Sequence, residues 1–173
     1  MSSITRPRAQ VVLTFQDIDE WPERAPVQNL ISRCAERGPV SFSVPPLNRA
    51  VPICRQLVGL WLNAEGIANE DARYTTLLIV SELMTNAVEH SGSARIISCL
   101  RRDDDRVFIE VRDQSRTSSI PRQPRRVART HRLNRSRENG RGLVLVAKLA
   151  ENWGVQTGND GICSVWAAVR IGR

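Results

Sequence analysis

The stretch from Asn69 to His90 restricts the possible folds most, because its pattern predicts one long helix with two different faces. Asn69 is a favourable N-cap, two acidic residues follow it in the first turn, and Ser-Gly-Ser ends the pattern after His90. The predicted apolar ridge recurs at helical spacing: Leu77, Val80, Met84 and Val88. At about 100° per residue, Glu82 and Asn86 fall on the opposite face, one turn apart. We therefore expect a helix that is buried on one side and presents a carboxylate and an amide on the other.

The segments around this helix predict a two-layer fold. The expected order is helix, helix, strand, strand, long loop, helix, strand, strand. An earlier strand at Val40–Val44 leads into the first helix, whose apolar residues recur from Leu47 to Trp61. The two hairpins and the helix between them are expected at Ala94–Leu100 with Arg106–Asp113, at Leu143–Asn152, and at Gly154–Thr157 with Cys163–Val169. This order favours an α+β sandwich, with helices on one face of a mixed, mainly antiparallel sheet, over a doubly wound fold.

The length of 173 residues allows one main domain. Residues 41–173 are assigned to it, and residues 1–40 form an N-terminal extension of unknown role. Within that extension we expect a short strand at Gln10–Phe15 and a short helix at Val27–Arg37.

The positive charge is concentrated in one segment. The whole chain carries +7, yet residues 116–141 hold nine arginines against a single acid, Glu138, which gives that segment +8 and leaves −1 for the rest. The same segment contains two prolines and no apolar periodicity, so it predicts a long loop rather than a basic domain.

Several classes of protein are excluded by composition. The longest apolar runs are far shorter than the roughly 20 residues that span a bilayer, and the first residues lack the apolar core of a signal peptide. The four cysteines are widely separated and form no CxxC motif, which argues against a zinc site and fits reduced thiols. A cytoplasmic protein is the expectation.

Three separated pieces of the sequence could form a nucleotide site together. Glu82 and Asn86 can polarise a water molecule and bind a hard cation such as Mg²⁺, which prefers oxygen ligands. Asp113, at the end of a predicted strand, can accept a hydrogen bond from an exocyclic amine. Gly140 and Gly142 stand at the start of a helix, where backbone N–H groups can bind phosphate oxygens. Neither a P-loop motif nor a Rossmann fingerprint is present in the sequence.

These pieces resemble the motifs of the GHKL superfamily of ATPases and kinases. Residues 82–90 (ELMTNAVEH) resemble its N box, residues 111–113 (VRD) resemble its first glycine box, and residues 140–143 (GRGL) resemble its second. The order and spacing agree, and the resemblance covers about residues 41–170. It is strongest to the single-domain branch of anti-sigma-factor serine/threonine kinases and related actinobacterial ATP-binding regulators.

The resemblance implies a Bergerat-type fold that binds ATP and Mg²⁺ beneath a lid. Asn86 would bind Mg²⁺, Glu82 would be the general base, and Asp113 would bind the adenine amine. The phosphates would be lined by residues 140–143, namely Gly140, Arg141, Gly142 and Leu143. The segment at about 116–139 would be the lid, with its arginines near the triphosphate. His90 is not expected to be a phosphate acceptor.

Two departures from the superfamily pattern stand out. Ser115 occupies a position where the first glycine box carries a glycine, and no glycine follows until Gly140. The threonine expected near the last hairpin is also missing, and Ser164 is the nearest candidate for it.

Three functions compete at this point. The first is a serine/threonine kinase that binds a sigma factor and phosphorylates an anti-sigma antagonist. The second is a catalytically inactive partner-switch module, either nucleotide-binding or nucleotide-independent, which Ser115 favours. A nucleic-acid-binding protein using the arginine segment ranks third, because that segment lacks interleaved aromatic residues and a recognition helix. The sequence leaves open whether the chain forms a homodimer.

Overall fold

A computed structural model describes residues 7–23, 25–90, 92–113, 141–157 and 162–172. In chain order, the elements are β1 (Ala9–Val12), α1 (Phe15–Asp19), α2 (Ala25–Cys34), β2 (Val40–Val44), α3 (Ala50–Ala64), α4 (Glu70–His90), β3 (Ile96–Asp103), β4 (Arg106–Asp113), α5 (Arg141–Leu149), β5 (Asn152–Thr157) and β6 (Cys163–Arg170). The predicted α+β class is confirmed, and so are both hairpins.

Within the described residues, the strands form a single six-stranded mixed sheet in the order β1-β2-β3-β4-β6-β5. The β1–β2 pair is parallel and the other four pairs are antiparallel. The second hairpin joins the first through β6, so β6 lies between β4 and β5. The last strand in chain order is therefore an inner strand of the sheet.

One face of the sheet is covered by helices and contributes the core. In β4, Val107, Ile109 and Val111 are at most 3% exposed, and successive strand residues point to opposite faces. Packed over this face are α3, against β2, and α4, against β3, β4 and β6. We call this the helix face and the other the outer face.

The central helix is α4, and it begins as the sequence predicts. The Asn69 side chain accepts a hydrogen bond from the backbone N–H of Ala72 at 2.9 Å, which is the expected N-cap interaction. The predicted ridge is only partly right, because Leu77 and Val88 are half-buried rather than buried. The residues of α4 that the sheet and the neighbouring helices bury are Ala72, Thr76, Ile79, Val80, Leu83 and Met84.

The direction of α4 follows from its contacts near the end of the chain. Gly172, just after β6, lies close to the α4 N-cap, since a Cβ added to Gly172 would be 3.1 Å from Nδ2 of Asn69. The start of α4 therefore lies at the C-terminal end of β6, and its C-terminal half lies toward the N-terminal end of that strand. With a rise of about 1.5 Å per helical residue and about 3.3 Å per strand residue, Asn86 and the first residues of β6 are at a similar level.

The described part of the N-terminal segment, residues 7–23 and 25–40, contributes to the same core as the rest of the described chain. Val11 and Leu13 are fully buried, and β1 extends the sheet beside β2. Arg95 joins these strands to the start of β3: its guanidinium donates to the carbonyl oxygens of Leu13 at 2.7 Å and of Ser43 at 2.6 Å. In α3, Trp61 donates its indole N–H to the carbonyl of Gly38 at 2.8 Å.

We expect Gly154→Ala to destabilise the fold by about 1–3 kcal/mol, the usual cost of overpacking. A Cβ at this position would lie 2.9 Å from Nε1 of Trp166 and 3.1 Å from its ring carbons, so the indole on the neighbouring strand must move. Urea unfolding monitored by circular dichroism measures the loss of stability. In a Trp166→Leu background, the same Gly154→Ala substitution should be less destabilising. The matched control is Gly59→Ala in α3, where an added Cβ meets nothing within 4 Å, so a gain of about 0.5–1 kcal/mol is expected. Equal stability of the two alanine variants would contradict the prediction.

Candidate functional site

The C-terminal half of α4 carries the two polar residues that the sequence singled out. Glu82 and Asn86 are both half-buried and stand one helical turn apart, about 6 Å along the axis. The adjacent residues Leu83 and Met84 are buried in the core, which fixes the rotation of the helix. Glu82 and Asn86 thus occupy a sector of α4 that is neither fully buried nor fully exposed.

Glu82 is in close contact with the start of α5. A Cβ added to Gly142 would lie 2.6 Å from Oε2 of Glu82 and 3.8 Å from its Cβ. Because glycine has no Cβ, the backbone of the first turn of α5 can lie this close to the carboxylate, and a larger residue at position 142 would require the carboxylate to move. Two motifs that are 60 positions apart in the sequence therefore meet in the fold.

The orientation of α5 places its amino end at this site. Leu149, the last residue of α5, lies at the opposite end of the molecule, where it lines a depression with Asn69 and Thr75 of the α4 N-terminal region. Since Gly142 contacts Glu82, the two helices run antiparallel. The unpaired N–H groups of the first turn of α5, and the positive end of its dipole, are directed to the same end of the molecule as Glu82 and Asn86.

Asp113 ends β4 on the helix face of the sheet. It is half-buried and lies in the ladder opposite Ile96 of β3 and Cys163 of β6. Because residues directly opposite each other in an antiparallel pair share a face, Asp113 and Cys163 point to the same side. Burial raises the pKa of the Cys163 thiol, and the negative charge of the neighbouring Asp113 raises it further.

Ser164, the nearest candidate for the expected threonine, does not lie beside Asp113. It pairs with Arg112 and is 7% exposed, on the outer face of the sheet. The residue beside Asp113 is Cys163, which the sequence analysis missed. Alternate residues of a strand share a face, so counting back two positions at a time from the buried Val169 and Ala167 leads to Cys163.

Some of the predicted site lies outside the described residues. This applies to Gly140, to Ser115 and to the predicted lid at 116–139. Arg141 is the first residue of α5, and Leu143 is half-buried and packs against the core.

The described ranges contain no group of three or more His, Cys, Asp or Glu side chains placed to bind a metal ion. Magnesium at nucleotide sites is commonly bound by one or two protein groups together with substrate phosphates. Asn86 supplies one oxygen ligand of the type that Mg²⁺ accepts, so the residues present fit an ion that arrives with its nucleotide.

Among the helices of the described ranges, none has the length and apolar character needed to cross a bilayer.

A helix-covered mixed sheet, whose central helix carries Glu82 and Asn86 and places Glu82 against a glycine at the start of another helix, is the arrangement expected of an ATP-binding domain of the GHKL class. The family model described as the histidine kinase-like ATPase domain matches residues 44–166, which is more than half of the chain. The chain therefore belongs to this family, and the superfamily indicated by the motifs is confirmed. No curated protein sequence matches the chain significantly.

Proposed function

We propose that the chain is an ATP-dependent serine/threonine kinase of the anti-sigma type. It would bind ATP with Mg²⁺ at the site between α4, α5 and the end of β4, and transfer the γ-phosphoryl group to a small anti-sigma antagonist protein. Its second partner would be a sigma factor, and the chain would therefore act in the cytoplasm. The observation that carries the proposal is the close approach of Gly142 to the Glu82 carboxylate, because it joins the N-box helix to the helix start that would bind phosphate.

Each residue would have one task in the transfer. Asn86 would bind the Mg²⁺ that accompanies the triphosphate, and the first-turn N–H groups of α5 would hold phosphate oxygens. Asp113 would accept a hydrogen bond from the exocyclic amine of adenine. Glu82 would take the proton of the acceptor hydroxyl. The hydroxyl oxygen would attack the γ-phosphorus, and the bond between the γ-phosphorus and the β-phosphate oxygen would break.

A second candidate function is a nucleotide-binding switch without catalysis. It is favoured by Ser115, which stands where the superfamily has a glycine. In this case ATP would bind and alter partner affinity, and no phosphate would move. The effect of a Glu82 substitution on phosphate transfer separates the two candidates.

We expect Asn86→Ala to weaken Mg-ATP binding by about tenfold or more and to remove most of the Mg²⁺ dependence, because one metal ligand is lost. Isothermal titration of wild type and variant with ATP, with and without Mg²⁺, measures both effects. Asn63→Ala is the matched control, since Asn63 is an exposed asparagine near the end of α3. Wild type that binds no ATP, or an Asn86→Ala variant that keeps the full Mg²⁺ dependence, would contradict the proposed site.

A further inference from the structure

The two edges of the sheet differ in how they are covered. At the β1 edge, α2 packs against the strand, and Arg33 of α2 donates a hydrogen bond to the backbone carbonyl of Gln10 at 3.3 Å. At the other edge, β6 is the only strand among the described residues that pairs with β5. The N–H and C=O groups on the free side of an edge strand can pair with a strand of another molecule.

The β5 strand lacks the features that usually prevent such pairing. Its six residues, Asn152–Thr157, include no charged residue and no proline, although 25% of the whole chain is charged. Glu151, just before β5, accepts hydrogen bonds from Arg106 of β4 at 2.6 Å and from Arg170 of β6 at 3.0 Å. These arginines of the inner strands hold and neutralise its carboxylate. The free side of β5 is therefore neutral along its whole length.

The helix layer continues this neutral surface. Because α4 lies over β3, β4 and β6 and α5 contacts β5, α5 lies on the β5 side of α4. Gly142 and Leu149 lie on the side of α5 that meets α4. At about 100° per residue, the opposite side carries Val144, which is half-buried, and Ala147, which is exposed. We call the free side of β5, together with Val144 and Ala147, the open edge.

We propose that the open edge is an interface at which two copies of this chain associate around a two-fold axis perpendicular to the sheet. The two β5 strands would pair antiparallel and join the two six-stranded sheets into one. This inference goes beyond the proposed function and is independent of it, because the pairing needs neither ATP nor phosphate transfer.

The neutrality of β5 favours a second copy of the chain as the occupant. A two-fold axis places the same surface on both partners, so a charge near the axis meets an identical charge. Directly opposite residues share a face, so the axis must pass through a residue of β5. Centring it on Val155 places Trp153 opposite Thr157 and Gly154 opposite Gln156. Every facing pair in this register is uncharged, and the strand can therefore pair with itself.

The helix layer is compatible with the same axis. The two α5 helices would run antiparallel on either side of it, each over its own edge strand. Neighbouring strands lie about 4.8 Å apart and packed helices about 8–10 Å apart, so the two helices can meet through Val144 and Ala147. The amino ends of the helices, with Gly142, would point to opposite ends of the dimer. Association would therefore leave both candidate nucleotide sites uncovered.

The experiment is sedimentation velocity of the full chain from about 1 to 200 µM, with and without Mg-ATP, because a contact of one strand and one short helix is small and should be concentration-dependent. The first variant, Asn152→Lys with Gln156→Lys, places two lysines on the outer face of β5, where both positions are exposed. We expect it to raise the dissociation constant of the dimer by about tenfold or more, because identical charges then meet across the axis.

The matched control is Gln10→Lys with Val12→Lys, two exposed positions on the outer face of the β1 edge. It should leave the dissociation constant within about twofold of wild type. From the helix layer, Ala147→Lys should weaken the dimer several-fold, and urea unfolding confirms that each variant is folded.

Three results would overturn the inference: a wild-type chain that stays monomeric at every concentration, a β5 variant that dimerises like wild type, or equal weakening by the β1 and β5 variants. A wild-type dimer that the β5 lysines weaken, and the β1 lysines do not, would support it. Calorimetry with ATP on the same preparation keeps the two proposals apart, because such a dimer that binds no ATP would support the open edge and contradict the proposed function.

Discussion

Replacing Glu82 by glutamine should lower the rate of phosphate transfer by about 10²–10⁴-fold, the usual contribution of a general base, with little change in ATP affinity. The amide has nearly the shape of the carboxylate but cannot take a proton. The measurement is transfer of labelled γ-phosphate from Mg-ATP to the anti-sigma antagonists of the source genome, alongside calorimetric titration with ATP.

The control for this variant is Glu89→Gln, which changes an exposed carboxylate two turns further along α4. It should have the activity of wild type. A Glu82→Gln protein that binds ATP and transfers phosphate at the wild-type rate would exclude Glu82 as the base. Saturable ATP binding with no transfer by wild type would instead favour the non-catalytic switch.

Gly142→Ala should separate stability from activity. The added methyl group would lie 2.6 Å from Oε2 of Glu82, so the carboxylate must move, and it can do so because it is the end of a flexible side chain. We expect little loss of folding stability but a fall of about 10²-fold in phosphate transfer, since a displacement of about 1 Å is enough for such a loss. Urea unfolding and the transfer assay on the same preparation test both statements.

A double variant tests the cause of that loss. Glu82→Asp shortens the side chain by one methylene and draws the carboxylate away from the added methyl group. In the Gly142→Ala background, Glu82→Asp should lower the transfer rate less than it does in the wild-type background, because the effects of substitutions at residues in contact are not additive. Gly59→Ala is again the control, with unchanged transfer. Strict additivity of the two substitutions would mean that the contact between Glu82 and Gly142 does not matter for the chemistry.

Local signals predicted the elements well. The ends of α4 follow from a capping asparagine, two acidic residues in the first turn and a Ser-Gly-Ser stop, all of which act within a few residues. Its buried sector was predicted less accurately, because periodicity alone does not fix which residues meet the sheet. Thr76 is fully buried and the neighbouring Leu77 only half-buried, which reflects the packing of α4 on β3, β4 and β6.

Local sequence patterns could not predict which strands pair. The parallel β1–β2 pair and the insertion of β6 beside β4 depend on contacts between residues far apart in the sequence. The face on which Ser164 lies could not be predicted for the same reason, since a shift of one residue in strand register moves a side chain to the other face. Motifs identified Glu82, Asn86, Asp113 and Gly142 as site candidates, whereas the proximity of Glu82 to Gly142 could be found only from the packing of α4 against α5.

The position of Gly172 against the N-cap of α4 has a practical consequence for work with this protein. Asn69 and Gly172 mark one end of a helix of 21 residues, about 30 Å long, and Asn86 lies near the other end. A fluorophore, affinity tag or surface linkage attached beside Gly172 would therefore have its attachment point more than about 20 Å from Asn86. Immobilised in this way, the protein would present the proposed nucleotide site to solution, which suits surface-based tests of ATP and partner binding.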